Sequence, residues 1–148
     1  MAETVVVGRS KALGAIYFST PAATANEANV AIKCAGTTAA QGTAFLVTQA
    51  TTNRLTYTGN RTRTFMVSAA VSLSAAAATN GKLHLYRNGA LITGATVRRA
   101  LPITDVGAMA LHALVDMATN DYVELWCETD DGDDITIQSG VLSLVSID

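Results

Sequence analysis

The chain has 148 residues, of which 49% are apolar, 15% are charged and 5% are aromatic, and its formal net charge is −2. This length fits one domain, and the low content of basic residues with a pI of about 5.6 argues against nucleic-acid binding. Because so apolar a chain is expected to cover part of its surface with another molecule, we expect a homo-oligomer.

The sequence predicts neither a membrane anchor nor a signal peptide. The most apolar stretch, Ala69 to Ala78, is about half of the ~20 residues that a spanning helix needs. No basic region precedes an apolar one, and Val5 to Val7 is too short for a signal sequence. We therefore expect synthesis in the cytoplasm, no membrane partner, and two buried, reduced thiols at Cys34 and Cys127 rather than a disulfide.

The first third of the chain predicts an arm followed by short strands. Residues 1–12 are interpreted as an N-terminal arm or a first strand, and residues 13–148 as the folded domain. Short apolar runs bounded by Gly, Pro, Asn and Thr predict strands at 14–18, 30–34, 44–47 and 54–59.

The central segment, residues 64–73, has the clearest strand pattern. Phe65, Val67, Ala69, Val71 and Leu73 share one face by the two-residue repeat. The other face carries small, uncharged side chains, which suit packing against another subunit: Thr64, Met66, Ser68, Ala70 and Ser72. The alanine-rich segment that follows, Ala75 to Thr79, predicts a loop or a single turn because it is short.

Five further strands are expected in the last part of the chain. A strand at 83–87 ends at Asn88-Gly89, a strong hairpin signal, and 91–99 is the returning strand. Residues 108–117 alternate as a strand, although helix competes there, and 122–128 and 135–147 complete about eight to ten strands. Short strands at regular spacing predict an all-β, antiparallel sandwich or jelly roll.

The sequence contains no motif that predicts catalysis or a cofactor. Phosphate-binding Gly loops, nucleophile elbows, His-Glu-x-x-His and Cys-x-x-Cys patterns are all missing. His112 could meet a serine and Asp116 in space, but a lone His in a sheet is more often a packed or interface residue. We expect no enzyme activity, no cofactor and no small-molecule substrate.

The acidic segment Asp130 to Asp134 is the best candidate for an ion site. Its spacing does not fit an EF-hand, and Asp-Gly is also an ordinary hairpin turn. A solvated turn is therefore favoured over calcium, and no metal site is predicted.

The charges are unevenly distributed along the chain. All ten Lys and Arg lie at or before Arg99, whereas ten of the twelve Asp and Glu lie from Asp105 onward. Two interpretations are open: a mixed surface on one subunit, or a basic edge that meets an acidic edge of a neighbour. Arg61 and Arg63, beside a turn, are interpreted as contacts with a neighbouring protein.

Trp126 is the single tryptophan and lies in the predicted strand 122–128. Val123, Leu125 and Cys127 form the side expected to face the core. Tyr122 and Trp126 then lie on the other side, either as interface anchors or as half-buried surface aromatics.

The order of strands and turns from residue 54 onward resembles the jelly roll of the tumour-necrosis-factor-like (complement globular-head type) family. It is most similar to the variant common among bacteriophage virion proteins. The segments that carry the resemblance include Leu83 to Gly89 and Asn120 to Cys127. The resemblance implies a homotrimer held by small and apolar side chains. The expected trimer interface comprises Met66, Ser68, Ala70, His84, Tyr86, Tyr122 and Trp126.

The same resemblance implies a structural role on the capsid surface of a virion. We expect a trimeric capsid decoration or cement protein that stabilises a phage head, with the major capsid protein as its partner. The residues expected to contact the capsid lie in the N-terminal arm: Val5, Val6, Val7, Arg9 and Lys11. The alternative is the head domain of a tail or baseplate adhesin that binds a host surface molecule. A cytokine-like ligand is disfavoured because no signal peptide is evident.

Overall fold

Alternating apolar and polar residues fold this chain into two antiparallel sheets that pack face to face. The computed structural model describes residues 10–103 and 105–148, and within these ranges the chain forms strands and loops without a helix. The strands are β1 (Leu13–Thr20), β2 (Ala23–Thr24), β3 (Ile32–Lys33), β4 (Thr37–Ala40), β5 (Val47–Thr48), β6 (Leu55–Tyr57), β7 (Arg63–Ala75), β8 (Thr79–Arg87), β9 (Ala90–Leu101), β10 (Gly107–Met117), β11 (Tyr122–Thr129) and β12 (Ile135–Ser146).

Each sheet has six strands. In sheet I the order is β10-β7-β12-β1-β4, and β2 pairs with one end of β12. In sheet II the order is β5-β6-β11-β8-β9, and β3 pairs with β11. Strands that are neighbours in sequence therefore often lie in different sheets, as a jelly roll requires.

The core lies between the two sheets and is built from the inward side chains of the long strands. In β7 every predicted inward residue is buried, from Phe65 to Leu73. The aliphatic side of β11 is buried as well, which confirms the predicted inward orientation of Val123, Leu125 and Cys127. Burial at alternate positions explains why the two-residue repeat predicted these strands correctly.

The strand prediction was correct for the long elements and less accurate for the short ones. The segment 108–117 is a strand, so the helical alternative was wrong. The predicted strands at 30–34 and 44–47 shrink to Ile32–Lys33 and Val47–Thr48. Leu46 has a left-handed φ of 54°, which prevents an extended strand from running through it.

Two local features set the register of the long strands. Asn88 and Gly89 both have positive φ, 51° and 77°, and form the predicted tight hairpin between β8 and β9. In β12 the register shifts between Ile137 and Ser139, and Gly140 follows with a φ of 146°. This bulge lets the long β12 stay paired with β7 on both sides of the irregularity.

The two ends of the described domain are joined by hydrogen bonds. β1 and β12 pair antiparallel, and Ala12 N donates to Ser146 Oγ at 2.9 Å. The buried guanidinium of Arg63 donates from Nη1 to the carbonyl oxygens of Ser10 (3.1 Å) and Asp148 (3.2 Å). Arg63 is only 7% exposed. Its predicted role as a contact with a neighbouring protein is therefore wrong, because the side chain is needed inside the subunit.

Candidate interaction surface

The outer side of sheet I forms a broad surface without Lys, Arg, Asp or Glu across four adjacent strands. The strand registers place its residues in rows that run across β1, β12, β7 and β10. We call this surface the uncharged face and define it by Leu13, Ala15, Tyr17, Met66, Ser68, Ala70, Ser72, Ala108, Ala110, His112, Leu114, Ser139, Val141, Ser143 and Val145.

One row of the uncharged face consists of four large apolar side chains. Leu13 is opposite Val145, Val145 is opposite Met66, and Met66 is opposite Leu114. All four are exposed, and Leu114 is 58% exposed. Because cross-strand partners lie about 5 Å apart, these side chains form one continuous apolar strip.

The next rows contain small side chains, so the surface is depressed there. A shallow depression of about 370 Å³ is lined by Ser68, Ala70, Ala110, His112, Val141 and Ser143, together with the backbone of neighbouring residues. A second depression continues from it along β7 toward Ser72. The apolar strip and the adjoining hollow give the face a relief that a complementary surface can fill.

The structure does not assemble a catalytic triad around His112. Ser68 is directly opposite His112 in the register of β7 and β10. Asp116, however, lies four residues further along β10, ~13 Å away at the usual rise of a strand. Its Oδ1 accepts a hydrogen bond from Thr64 Oγ1 at 2.7 Å.

The outer side of sheet II has the opposite character, since it carries a connected set of charged and aromatic side chains. The carboxylate of Glu124 is buried and lies 2.9 Å from Lys33 Nζ and 2.7 Å from Arg54 Nη2. Trp126 Nε1 donates to its second oxygen at 3.0 Å. Burial alone would raise the pKa of Glu124, but the hydrogen bonds from Lys33, Arg54 and Trp126 outweigh it and lower the pKa.

The aromatic residues of sheet II stack on one another. The rings of Tyr86 and Trp126 are parallel within 6°, with centroids 4.2 Å apart. Arg54 lies over the ring of Tyr122 at 3.9 Å from its centroid. These aromatics are therefore engaged within the subunit.

His84 is held between β9 and β11 on the same side of sheet II. Its Nδ1 lies 2.8 Å from Thr96 Oγ1, and its Nε2 lies 3.3 Å from Glu128 without hydrogen-bond geometry. Burial lowers the pKa of His84, and the nearby carboxylate of Glu128 offsets this only in part.

The predicted trimer interface is divided between the two outer sides of the sandwich. Met66, Ser68 and Ala70 lie on the uncharged face, whereas the other four predicted residues lie on sheet II: His84, Tyr86, Tyr122 and Trp126. The structure therefore does not bring the seven residues together on one surface. His84 is 5% exposed and makes its contacts within the subunit.

Several residues of the uncharged face were missed by the sequence interpretation, above all Leu13, Tyr17 and Val145. Their two-residue alternation was visible in the sequence. What the sequence did not contain was the order of the strands, which places β1 and β12 beside β7.

The basic residues of the earlier part of the sequence and the acidic residues of the last third pair with each other within one subunit. Basic residues of the earlier strands pair with acids of the last third, including Lys82 with Glu128 at 2.5 Å and Arg98 with Asp130. Of the two interpretations, these ion pairs support a mixed surface on one subunit.

The acidic segment Asp130 to Asp134 forms a turn whose carboxylates contact donors of the same chain. Asp130 pairs with Lys82 and Arg98, and Asp134 Oδ1 accepts from Asn26 N at 3.3 Å. In residues 10–103 and 105–148 no three His, Cys, Asp or Glu side chains group as metal ligands. Nor does that part of the chain contain a helix long and apolar enough to cross a membrane.

The two cysteines are buried free thiols, which confirms that they lie in the core. Burial raises the pKa of the Cys34 thiol well above its ordinary value, and a contact with Cys127 adds to the shift. Cys34 therefore stays protonated and is a poor nucleophile.

Of the predicted capsid-contact residues, only Lys11 is described by the structure. Its Nζ lies 3.5 Å from the carbonyl oxygen of Ser146 and 3.4 Å from that of Ile147, while the side chain stays exposed. Val5, Val6, Val7 and Arg9 lie outside the described residues.

Comparison with known proteins identifies the fold through structure rather than sequence. No protein-family model matches the chain, and no curated protein matches its sequence. Two solved structures of murine APRIL, at pH 5.0 and pH 8.5, are similar with TM-scores of 0.65 and 0.62. Their identities are 8% and 7%, and each match covers 93% of this chain and 100% of the other.

A third similar structure is Eiger TNF from S. frugiperda, with a TM-score of 0.65 and 12% identity over 95% of this chain and 94% of the other. The fold is a tumour-necrosis-factor-like jelly roll. The predicted all-β jelly roll is thereby confirmed, and residues 10–103 and 105–148 form twelve strands in place of the predicted eight to ten. The two strands of this jelly roll that the sequence did not predict are β2 and β4, of two and four residues. They are too short for an alternating pattern to be visible.

Proposed function

We propose that the chain is a structural virion protein, a homotrimer that decorates a bacteriophage capsid and reinforces its shell. The observation that carries the proposal is the uncharged face, a large apolar and small-residue surface that is open in the single subunit. The phage role itself rests on the sequence resemblance, and the proposal therefore needs a test of assembly and a separate test of capsid binding.

A second copy of the chain is the occupant that best fits the uncharged face. A partner must bring an uncharged surface of its own, because a charge buried there would have no counter-charge on Met66, Ser68, Ala70 or their neighbours. The ion pairs of sheet II make its outer side unsuitable as that partner. Small and apolar side chains, in contrast, let two copies approach closely and exclude water.

The geometry of a closed ring supports the choice of one outer side over both. In a three-fold ring each subunit uses two different surfaces that are inclined to one another, here the two sides of the uncharged face, one on β1 and β12 and the other on β7 and β10. The outer sides of sheets I and II point in opposite directions, so contacts through both would extend a stack instead of closing a ring. We therefore retain Met66, Ser68 and Ala70 in the proposed interface and leave the four sheet II residues out.

The position of Ser10, the residue that follows the N-terminal arm, suits attachment of such a trimer to a shell. Ser10 lies at the end of the domain where Arg63 binds it together with Asp148. Equivalent points of a cyclic trimer lie at one level along its axis, so the three Ser10 residues lie at the same level. Three weak contacts made by the residues before Ser10 to the capsid protein would give high avidity.

Light scattering on purified protein tests the assembly. We expect the mass of three 15.3 kDa chains for the wild type, at low and at high salt, because apolar contacts are not screened. Ala70→Glu, in the middle of the face, should give a folded monomer. Thr51→Glu, in an exposed turn of sheet II, is the matched control and should remain trimeric. A monomeric wild type contradicts the proposed assembly.

Co-sedimentation with capsid shells tests the decoration role. Shells of the major capsid protein of the same phage, prepared without this protein, should bind the wild-type trimer. Deletion of residues 1–9 should abolish binding and leave the trimer intact, since Ser10 and Lys11 remain. Failure of the wild type to bind shells, with binding to host cells instead, would favour the adhesin alternative.

A further inference from the structure

The one imidazole on the uncharged face lies midway along its edge strand, β10. His112 lies on β10 between Ala110 and Leu114, and it is exposed in the single subunit. It also lines the depression formed by Ser68 and Ser143. A neighbour that covers both the apolar strip and this depression must therefore cover His112 as well.

Among residues 10–103 and 105–148, no carboxylate is placed to balance a positive charge on His112. Along β7 the outward residues opposite and diagonal to it are Ser68, Met66 and Ala70. Asp116 is four residues away on β10 and is engaged by Thr64.

The other charged groups that pack against β10 in the described structure are arginines near its two ends. Arg98 and Arg99 lie beside Ala108 to Ala110, and Arg99 donates to Ala108 O at 3.0 Å. At the other end Arg63 is opposite Met117, and Arg87 donates to Asp116 O at 2.5 Å. All four carry the same sign as a protonated imidazole. On the far side of the face, the remaining titratable groups among the described residues are Lys11 and the phenol of Tyr17.

We propose that His112 makes the assembly sensitive to acid, so that the subunits associate while the imidazole is neutral and separate when it is protonated. This inference rests on the proposed function, because it requires that a second copy covers the uncharged face. A neutral imidazole can share hydrogen bonds with the serine hydroxyls of the depression. A protonated one would carry an unbalanced charge into an apolar contact.

The expected size of the effect follows from proton linkage. Histidine titrates near pH 6.5 in water, between the ranges of carboxylates and lysines. For each histidine that must lose its proton on association, the dissociation constant rises about tenfold between pH 8 and pH 5.5. A trimer contains three such residues, so its dissociation constant should rise about a thousandfold.

Light scattering over a dilution series at pH 8.0 and pH 5.5 tests the inference with the full chain. The protein concentration at which wild type is half dissociated should rise about thirtyfold from pH 8.0 to pH 5.5, because it scales with the square root of the trimer dissociation constant. The far-UV spectrum should remain that of a β protein. His112→Gln should show no such rise, since glutamine is neutral throughout. His112→Lys, charged at both values, should dissociate at both values at concentrations at least as high as wild type does at pH 5.5.

Three results would overturn the inference, and they are distinguishable. A half-dissociation concentration of wild type that is the same at pH 5.5 and pH 8.0 shows that His112 is not buried unpaired. Acid dissociation of His112→Gln equal to that of wild type assigns the sensitivity to other groups, His84 among them. A wild-type monomer at pH 8.0 refutes the proposed trimer itself and the switch with it.

Discussion

The side-chain amide of Asn53 pairs with the backbone of Leu125 in both directions. Leu125 N donates to Asn53 Oδ1 at 3.2 Å, and Asn53 Nδ2 donates to Leu125 O at 2.8 Å. The same Nδ2 also donates to Cys34 O at 3.0 Å. Asn53 is completely buried and fills the gap between β3 and β6, both of which pair with β11. A side chain thus continues the hydrogen bonding of sheet II where no strand is present.

Replacing Asn53 by Ala should destabilise the domain by about 3 kcal/mol. The change leaves Leu125 N and Cys34 O buried without this partner, at about 1–3 kcal/mol for each group. Urea unfolding followed by circular dichroism measures the loss. Asn120→Ala is the matched control, because Asn120 also has a left-handed φ, 70° against 48°, but is exposed. Its expected cost is only about 1 kcal/mol, and equal losses in both variants would contradict the role of the amide.

Glu124→Gln should lower the free energy of unfolding by about 2 kcal/mol at pH 7, the usual value for hydrogen bonds to a charged group. Lys33 and Arg54 are about one-third exposed, so solvent screening keeps the loss modest. The folded-state pKa of Glu124 is lowered from 4.5. The unfolded chain therefore binds the proton more tightly, and the contribution disappears as the pH falls below 4.5 through the folded pKa.

Urea unfolding of wild type and Glu124→Gln between pH 7 and pH 3 measures the difference in their free energies of unfolding at each pH. The two curves should converge as the pH falls. Glu27→Gln, at an exposed glutamate, should track the wild type throughout. If the free energies of unfolding of wild type and Glu124→Gln differed by the same amount at every pH, the lost stability would come from packing and not from the charge.

His84 should make the subunit less stable in mild acid. Its folded-state pKa is lowered from 6.5 by burial, so the unfolded chain binds the proton more tightly. The free energy of unfolding should therefore fall as the pH drops below 6.5 toward the folded pKa. To separate this effect from dissociation, urea unfolding is compared between His112→Gln and the double variant with His84→Gln. Only His112→Gln should lose stability as the pH falls through this range. If the free energy of unfolding of the double variant fell equally with pH, His84 would be excluded as the cause.

Gly140→Ala should destabilise the domain by about 3 kcal/mol or more. A Cβ there would lie 2.5 Å from Ala70 O and 2.6 Å from Val71 Cα, and φ is 146°. Backbone atoms of β7 cannot move aside without breaking the pairing with β12. Gly42→Ala is the matched control, since Gly42 also has a positive φ but nothing lies within 4 Å of its Cβ position.

Thermal unfolding of the two glycine variants gives the comparison directly. The control should lose about 1 kcal/mol, which is the backbone cost alone. If Gly140→Ala lowered the free energy of unfolding no more than Gly42→Ala does, the bulge would be able to widen. Its tight packing against Ala70 would then not matter for stability.

The long strands could be predicted from sequence because each has one buried and one open side. In β7 and β10 the alternation extends over eleven residues or more, so the pattern outweighs local preferences for helix. The short strands could not be predicted. Asn53 shows why: part of sheet II is held by a side chain in a turn, and its pairing with Leu125 joins residues 72 positions apart.

The composition of the candidate surface was predictable, but its extent was not. Met66, Ser68 and Ala70 were recognised from their own strand. The apolar strip needs Leu13 and Val145 as well, and these meet only because β12 lies between β1 and β7. The aromatic residues of sheet II were predicted as interface anchors because the sequence gives no sign that Glu124 and Arg54 already occupy them.

The hydrogen bonds that join Ser10 and Asp148 to Arg63 make the chain nearly circular in topology. A short peptide linking these two residues would close it, and the exposed hairpin at Asn88-Gly89 offers a place to open new termini. Such a circular permutant would present its ends at the β8–β9 hairpin without altering a buried strand. A cargo fused to the permutant would leave from the β8–β9 hairpin, whereas one fused at Asp148 of the unpermuted chain would leave from the end of the domain where Arg63 lies.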